Sequence, residues 1–282
     1  MPLAVLPLVL LAAVCHAAWN ALVKESANPL VLSARAVAWG TGLSLPFVLT
    51  AWLMSGRPGL APAAWALAAM SASLELLYFV FLSTAYQRGE LSVVYPLARG
   101  TAPLLAVLVG VTLLGERLHL VAAGAILLVL AGIWTVRRPS GAASGVLLPA
   151  LATGVMIAAY TSLDRVGVRL APPWLYGWVL WLFAAIFLGT YTRLRGLTRT
   201  GAGDLPSVPT SMLVGALMTA AYFMILVALS RAPLAVIAPV RESAIVLVTA
   251  WGIWRLHERQ GAWLRMGGAV AIVVGIALLT FA

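Results

Sequence analysis

The sequence predicts an all-α polytopic membrane protein with ten transmembrane helices, on the basis of its composition and its apolar stretches. Of the 282 residues, 63% are hydrophobic and only 9% are charged, whereas roughly a quarter of the residues of a soluble domain are charged. Apolar stretches long enough to cross about 30 Å of hydrocarbon recur along the whole chain. Because backbone polar groups cannot remain unpaired in lipid, these stretches must be helices.

The predicted spans are joined by short connections. The longest connection, residues 193–209, is rich in Gly and Pro and too short to form a domain. Any function therefore has to lie within the membrane. The predicted spans cover residues 3–23, 30–54, 62–86, 91–114, 119–136, 144–163, 173–192, 210–229, 233–254 and 262–281.

The two halves of the sequence repeat each other. Each half holds five spans, and an odd number of spans inverts the second copy with respect to the membrane. The sequence therefore predicts two inverted five-helix repeats, residues 1–139 and 140–282, an arrangement characteristic of secondary transporters. Small residues on one face of the fifth and tenth spans favour close helix packing. Aligned pairs include Trp19 with Tyr160, Lys24 with Arg165, Arg99 with Arg241, Glu116 with Glu258, Gly124 with Gly267 and Gly132 with Gly275.

The same motifs occur in the same order in both halves. A proline precedes a polar residue within the fourth and ninth spans, an acidic turn follows each span, and the next span is rich in glycine. In this order and spacing the sequence resembles the EamA domains of the drug/metabolite transporter superfamily over nearly its whole length. The resemblance implies export or uptake of a small metabolite, commonly an amino acid or another polar organic solute, through a central cavity. The "HAAWN" stretch and the paired arginines also resemble a branch associated with phosphonate utilisation. The motif residues are Pro96 with Arg99, Gly115 with Glu116, Pro239 with Arg241 and His257 with Glu258.

Six ionisable residues lie inside the predicted spans. A charge at the centre of a membrane helix costs about 2.5 to 3.5 kcal/mol on insertion scales, so such residues usually face a partner or a watery cavity. The six residues are His16, Arg35, Glu75, Arg99, Arg241 and Glu242.

Arg99 and Arg241 occupy matching positions, each shortly after a proline. The proline removes one hydrogen bond from its helix and can expose backbone groups to a cavity. A guanidinium offers bidentate hydrogen bonds to an anionic group. We therefore expect both arginines to line the central cavity and to bind an anionic part of the solute. The alternative is that buried ion pairs hold them and fix the positions of the helices.

Glu75 shares a helical face with Tyr78 and lies at a depth similar to that of Arg99, about 16 Å against about 12 Å from the same side. The sequence predicts that Glu75 and Arg99 meet across neighbouring helices. Glu75 then carries a coupling proton or acts as a permanent counter-ion, and both roles remain open. Glu242 points about 100° away from Arg241 around a regular helix, so we expect this counter-ion to face another span.

The first span carries a polar and aromatic stripe. His16, Trp19 and Asn20 fall on one helical face because they are three and four residues apart. Tyr160 is the counterpart of Trp19 in the second half. We expect these four residues to line the cavity together with Tyr78. The alternative for the aromatic residues is helix packing or anchoring at the membrane interface.

Basic residues are divided unevenly between the two sides of the predicted bundle. The positive-inside rule makes the richer side cytoplasmic and places both termini outside, whereas the family resemblance implies termini inside. The sequence leaves the orientation open. The richer side carries Lys24, Arg88, Arg137, Arg138, Arg193, Arg195, Arg199, Arg255, Arg259 and Arg265, and the other side carries Arg57, Arg117, Arg165, Arg169 and Arg231.

Together these features predict a secondary active transporter of a small polar, anionic or zwitterionic metabolite that works by alternating access. An exporter of lipophilic or cationic compounds on the same fold is the alternative. A membrane-embedded lipid-modifying enzyme would need converging carboxylates, histidines or a metal site. Because the three histidines lie on different spans or turns, we expect neither catalysis nor a bound metal.

The expected partners are a small-molecule solute, the lipid bilayer and a coupling proton. The net charge of +10 is scattered over loops, so nucleic acid is not expected as a partner, and no cofactor is expected. The expected location is a prokaryotic cytoplasmic (inner) membrane. The solute itself, the direction of transport and the oligomeric state stay open.

Overall fold

The structure is a computed structural model, and its regular elements are α-helices throughout the part of the chain that it describes. The described residues are 4–88, 91–136, 144–198, 205–246 and 262–281. The helices, in chain order, are α1 (Val5–Glu25), α2 (Pro29–Met54), α3 (Pro62–Arg88), α4 (Leu91–Thr112), α5 (Leu120–Val136), α6 (Ser144–Leu170), α7 (Pro173–Leu194), α8 (Val208–Arg231), α9 (Leu234–Arg241) and α10 (Ala262–Phe281).

Helix bounds agree with the predicted spans to within two residues, with α6 and α9 as the exceptions. Capping explains two of the starts. The Asn28 side chain accepts a hydrogen bond from the Val31 N–H at 3.4 Å before α2, and Ser207 accepts one from the Thr210 N–H at 3.2 Å before α8. A proline stands in the first two positions of each of these helices. Such residues satisfy or remove N–H groups that have no partner within the helix.

The sixth helix is longer than predicted. The predicted span ended at residue 163, whereas α6 continues to Leu170. Asp164 and Arg165 had marked the end of the span because they are charged. Both are buried and hydrogen-bonded to side chains of neighbouring elements, so their charges are compatible with a continuing helix.

The ninth helix is shorter than the predicted span 233–254. It ends at Arg241, and the next two residues donate their N–H groups to carbonyls three residues back, at 3.1 and 3.0 Å. This spacing is that of a 3₁₀ turn. The turn follows Pro239, which has no N–H to continue the helical pattern. Helical backbone resumes at residues 244–246, and the predicted turn with Glu258 lies outside the described residues.

Six of the described helices are long and apolar enough to cross a membrane, namely α1, α2, α3, α6, α7 and α8, and α4, α5 and α10 contain shorter apolar stretches. Large apolar side chains face outward: Leu120 is 92% and Trp263 is 85% exposed, whereas Asp164 and Glu242 are each 1% exposed. An apolar exterior around a charged interior is suited to lipid. The chain is a multi-pass membrane protein.

The helices of the two halves pack against each other. α3 packs along α6, α1 along α8, α2 against both α7 and α8, and α4 against α9. α5 packs along α10. At this last contact, a Cβ atom on Gly132 would lie 2.5 Å from the carbonyl oxygen of Gly268, and one on Gly275 would lie 2.8 Å from a carbonyl oxygen of α5. The expected close packing thus occurs at Gly132 and Gly275. It is wrong for Gly124 and Gly267, which have nothing within 4 Å of an added Cβ.

Candidate functional site

Buried ionisable side chains from the first half and the second half approach one another in the interior of the bundle. We call this group the central cluster. Its members interact electrostatically with one another across helix boundaries. The central cluster consists of His16 on α1, Glu75 on α3, Arg99 on α4, Asp164 on α6, Arg241 at the end of α9, and Glu242 in the turn that follows.

Asp164 is held by hydroxyl groups from three other helices. Its Oδ1 atom accepts hydrogen bonds from Ser71 Oγ at 2.6 Å and from the Tyr176 hydroxyl at 3.1 Å. Its Oδ2 atom accepts one from the Tyr222 hydroxyl at 2.6 Å. Three donors directed at one carboxyl group favour its ionised form, which can only accept hydrogen bonds. These hydrogen bonds offset part of the cost of burying this carboxyl group.

Asp164 was not among the predicted site residues. The predicted sixth span, residues 144–163, ends one residue before it. A usable signal was present, because Asp164 lies four residues after Tyr160 and hence on the same helical face. That signal required a longer span than hydrophobicity alone indicated.

Glu75 lies beside Asp164. It is one helical turn after Ser71 on α3 and is buried. Its carboxyl group interacts with Asp164 and with the Tyr222 hydroxyl. Two buried carboxyl groups therefore lie close to each other, an arrangement that disfavours ionisation of both at once.

Glu242 binds both arginines of the cluster. Its Oε1 atom is 3.4 Å from Arg99 Nη1 and 3.6 Å from Arg241 Nε. The sequence predicts that Arg99 meets Glu75 and that Glu242 faces another span instead of Arg241. Glu242 does contact another helix, α4, through Arg99, but it also lies beside Arg241. The 100° separation between adjacent residues applies only in a regular helix. Because α9 ends at Arg241, the turn brings Glu242 back towards its neighbour.

Three polar atoms around the arginines have no hydrogen-bond partner among the described residues: Arg241 Nε, Glu242 Oε2 and His16 Nε2. The Trp19 indole N–H donates to His16 Nδ1 at 2.9 Å, so a neutral His16 carries its hydrogen on Nε2. His16 interacts electrostatically with Arg99 and Arg241. The cluster thus offers two donors and one acceptor that lack a hydrogen-bond partner among the described residues. Buried polar groups without partners are uncommon in folded proteins and are typically satisfied by water or a ligand.

Two tyrosines lie between the acidic and basic parts of the cluster. The Tyr78 and Tyr160 rings contact each other edge to face, with 5.8 Å between their centroids. Tyr160 interacts electrostatically with Arg99 and Arg241 on one side and with the two carboxyl groups of Glu75 and Asp164 on the other. The structure therefore brings both predicted tyrosines next to the charged residues.

The predicted stripe on α1 has mixed surroundings. Besides the Trp19 bond, the Asn20 side-chain amide donates to the His16 carbonyl oxygen at 2.7 Å, and the Tyr86 hydroxyl donates to Asn20 Oδ1 at 2.9 Å. Trp19 and Asn20 are thus engaged by neighbouring protein groups. Within this stripe, His16 Nε2 lacks a hydrogen-bond partner among the described residues and interacts with the arginines. A solute-binding role for Trp19 and Asn20 stays a prediction.

Glu116 forms a second buried polar centre at one end of the bundle. Its carboxylate accepts hydrogen bonds from the N–H groups of Leu234 and Ala235, the first two residues of α9, at 2.8 and 2.9 Å. Arg165 Nε donates to the same carboxylate at 3.2 Å, and the Arg165 guanidinium also donates to the Leu229 carbonyl oxygen. The acidic turn of the first half therefore caps α9, with its negative charge at the positive end of that helix.

Gly115 makes this cap sterically feasible. It has a φ of +64°, in the left-handed region that only glycine adopts without strain. The turn lets the Glu116 N–H donate to the Gly110 carbonyl oxygen at 2.9 Å. A Cβ on Gly110 would lie 2.6 Å from Glu116 Oε2, so the side chain uses space that a larger residue would fill.

A related contact occurs at Lys24, the counterpart of Arg165. The Lys24 ammonium donates to the Tyr86 carbonyl oxygen at 2.6 Å. Tyr86 lies near the end of α3, just as Leu229 lies near the end of α8. Both aligned basic residues thus bind a carbonyl at the end of the helix that precedes α4 or α9.

No group of three or more His, Cys, Asp or Glu side chains that could hold a metal ion occurs among the described residues.

Residues 3–138 match the family model described as the EamA-like transporter family. These residues, slightly less than half of the chain, are therefore similar to the EamA-like transporter family. The similarity supports the interpretation of this EamA-domain protein as a membrane transporter of the drug/metabolite transporter type and not as an enzyme.

One solved structure, titled only "Crystal structure of protein", aligns with the EamA-domain protein with a TM-score of 0.75 and 19% sequence identity. The alignment covers 99% of this chain and 96% of that chain. The two proteins therefore share a fold over nearly their whole lengths. No curated protein matches the sequence.

Proposed function

We propose that this EamA-domain protein is a secondary transporter of a small zwitterionic metabolite of the amino-acid type, and that it works by alternating access in a prokaryotic cytoplasmic membrane. The central cluster is the solute site in this proposal. Arg241 and His16 bind the carboxylate of the solute, and the carboxyl groups of Glu242 and Asp164 bind its ammonium group.

The observation that carries the proposal is the set of unpaired buried atoms next to the arginines. Arg241 Nε and His16 Nε2 are donors and Glu242 Oε2 is an acceptor, and each lacks a hydrogen-bond partner among the described residues. A solute with both an anionic and a cationic group satisfies both kinds of atom. Hydrogen bonds to charged groups contribute about 1.5 to 3 kcal/mol each, enough for selective binding.

The charge balance of the cluster favours a zwitterion over a simple anion. With His16 neutral, Arg99 and Arg241 stand against Glu242 and one or both of the neighbouring carboxylates of Glu75 and Asp164. An added anion would leave this buried region with a net negative charge, which is unfavourable. A zwitterion leaves the net charge unchanged.

Alternating access requires two arrangements of similar energy, which an inverted repeat supplies. We propose repeats at residues 1–139 and 140–282, with ten membrane spans. The helix packing supports this proposal. α3, the third helix of the first half, packs on α6, the first helix of the second half, and α1, the first helix of the first half, packs on α8, the third of the second. The contacts of Lys24 and Arg165 with the ends of α3 and α8 support it too.

The test is solute counterflow in proteoliposomes with labelled zwitterionic, anionic, cationic and lipophilic compounds. We expect counterflow of a zwitterionic amino acid by the wild type, a decrease of at least about tenfold for Arg241→Gln, and no change for Arg195→Gln. Arg195 is a matched control because it is exposed and stacks on Tyr191 outside the cluster.

An exporter of organic cations is the second candidate, because the acidic excess and the neighbouring tyrosines also suit a cation. Counterflow of a lipophilic cation that is unaffected by Arg241→Gln would support that candidate and overturn the zwitterion site.

A further inference from the structure

We propose that a cleft between the start of α2 and the end of α7 binds one anionic phospholipid from the surrounding membrane. The cleft has a volume of about 440 Å³ and is separate from the central cluster. Its two basic residues are Arg35 on α2 and Arg193 on α7. This inference does not depend on which solute is transported.

The charge of the cleft is uncompensated within the described part of the chain. The lining contains Arg35 and Arg193 and no acidic residue, and neither arginine takes part in the ion pairs formed among the described residues. Arg35 is half-buried and lies two helical turns inside α2. A positive charge at such a position needs a counter-charge or water. The phosphate of a lipid head group supplies that counter-charge to both arginines.

The polarity of the cleft changes with depth. Its outer end carries Arg193 and Thr198, and its inner end is lined by Ala38, Ala185 and Ile186. On α7, the distance from residue 193 to residue 185 is about 12 Å along the helix axis. A free phosphate ion would use only the outer end. A phospholipid, with its head group outside and its acyl chain deeper, matches both ends.

Gly189 provides the room for the acyl chain. It lines the cleft, and a Cβ atom added to it would meet nothing within 4 Å. A larger side chain at this position would therefore project into the cleft without disturbing neighbouring backbone. Arg88 and Arg195 are exposed at the ends of α3 and α7, and basic residues near a membrane surface attract anionic lipids by about 1 kcal/mol each.

Native mass spectrometry of the full chain, delipidated in a neutral detergent, tests the proposal. Phosphatidylglycerol, phosphatidylcholine and inorganic phosphate are added separately to the wild type and to Arg35→Gln, Arg193→Gln and Gly189→Leu. We expect one tightly retained phosphatidylglycerol in the wild type and roughly fivefold weaker retention for each arginine variant. Gly189→Leu is also expected to weaken retention, because both arginines remain but the acyl chain is excluded.

Arg195→Gln is the matched control, since Arg195 lies at the same end of α7 but outside the cleft. Unchanged retention in this control supports a specific site. Equal loss in Arg195→Gln and Arg193→Gln would indicate general surface attraction and overturn the proposal. Equal binding of phosphatidylcholine, or displacement of the lipid by millimolar inorganic phosphate, would overturn it as well. The thermal transition of each variant without lipid identifies any variant that fails to fold. Lipid retention by the variants that do fold then decides whether the cleft is the binding site.

Discussion

Arg99 and Glu242 form a buried ion pair, with 3.4 Å between Nη1 and Oε1, although they are 143 residues apart in the sequence. The same Oε1 atom lies 3.6 Å from Arg241 Nε. One carboxylate therefore contacts guanidinium groups from both halves of the chain. The relative position of α4 and α9 at the centre of the protein depends on this carboxylate.

Glu242→Gln is expected to lower the free energy of unfolding by about 3 to 5 kcal/mol, because it leaves two buried arginines without their shared carboxylate. Unfolding in mixed micelles with increasing denaturing detergent measures this change. Glu25→Gln is the control, since Glu25 is exposed and surface changes usually stay within about 0.5 kcal/mol. Similar small effects for both variants would contradict a central role for Glu242.

Asp164→Asn is expected to reduce the initial rate of zwitterion uptake by at least about tenfold. The amide removes the negative charge and turns one of the acceptors that face Ser71, Tyr176 and Tyr222 into a donor. Uptake into proteoliposomes of equal protein content provides the measurement. Tyr191→Phe, a change outside the cluster, should transport normally, and full activity of Asp164→Asn would exclude this residue from the site.

Glu75 is proposed to carry the coupling proton. The three hydroxyl groups that donate to Asp164 favour its ionised form, so a proton shared by the two carboxyl groups is bound by Glu75. Glu75→Gln should therefore abolish uptake driven by a proton gradient while solute counterflow, which needs no net proton movement, continues. Uptake and counterflow are measured on the same liposomes. If gradient-driven uptake survives in Glu75→Gln, the proton is carried elsewhere and Glu75 is a fixed member of the cluster.

Gly215→Ala is expected to destabilise the protein by about 1 to 3 kcal/mol through overpacking. Gly215 lies where α8 crosses α2, and an added Cβ would come 2.9 Å from the Gly40 nitrogen and closer still to the Ala36 carbonyl oxygen. Gly42→Ala, with nothing within 4 Å of the new Cβ, should be neutral or slightly stabilising. The thermal transition temperatures of both variants in detergent measure this difference. Equal temperatures would show that α2 and α8 are not tightly packed at their crossing.

Most helix bounds could be predicted because apolar length and the positions of prolines and capping residues determine them. The bounds of α2 and α8 are examples, with Asn28 and Ser207 as caps. The end of α6 could not be predicted from hydrophobicity, because Asp164 and Arg165 are buried through partners that lie far away in the sequence. Only the packing of α6 against other helices makes these charges acceptable inside the bundle.

The candidate site was predicted in part. Arg99, Arg241, Glu75, Tyr78 and Tyr160 were identified because charged and aromatic residues stand out within apolar spans, and the structure places them near one another. Glu242 contacts another helix through Arg99, as predicted, but its contact with Arg241 was not predicted, because a regular helix directs consecutive side chains apart. The break after Arg241 depends on the surroundings of Pro239 in the folded protein, which a helical projection does not include.

The separation of Arg99 and Glu242 also sets an order of events during biosynthesis. At about 5 to 20 residues per second, a ribosome needs roughly 7 to 30 seconds to make the 143 residues between them. During that time α4 is already available for insertion, but its arginine cannot yet form the ion pair with Glu242. Final assembly of the central helices is therefore a late step, completed only after the second half of the chain has entered the membrane.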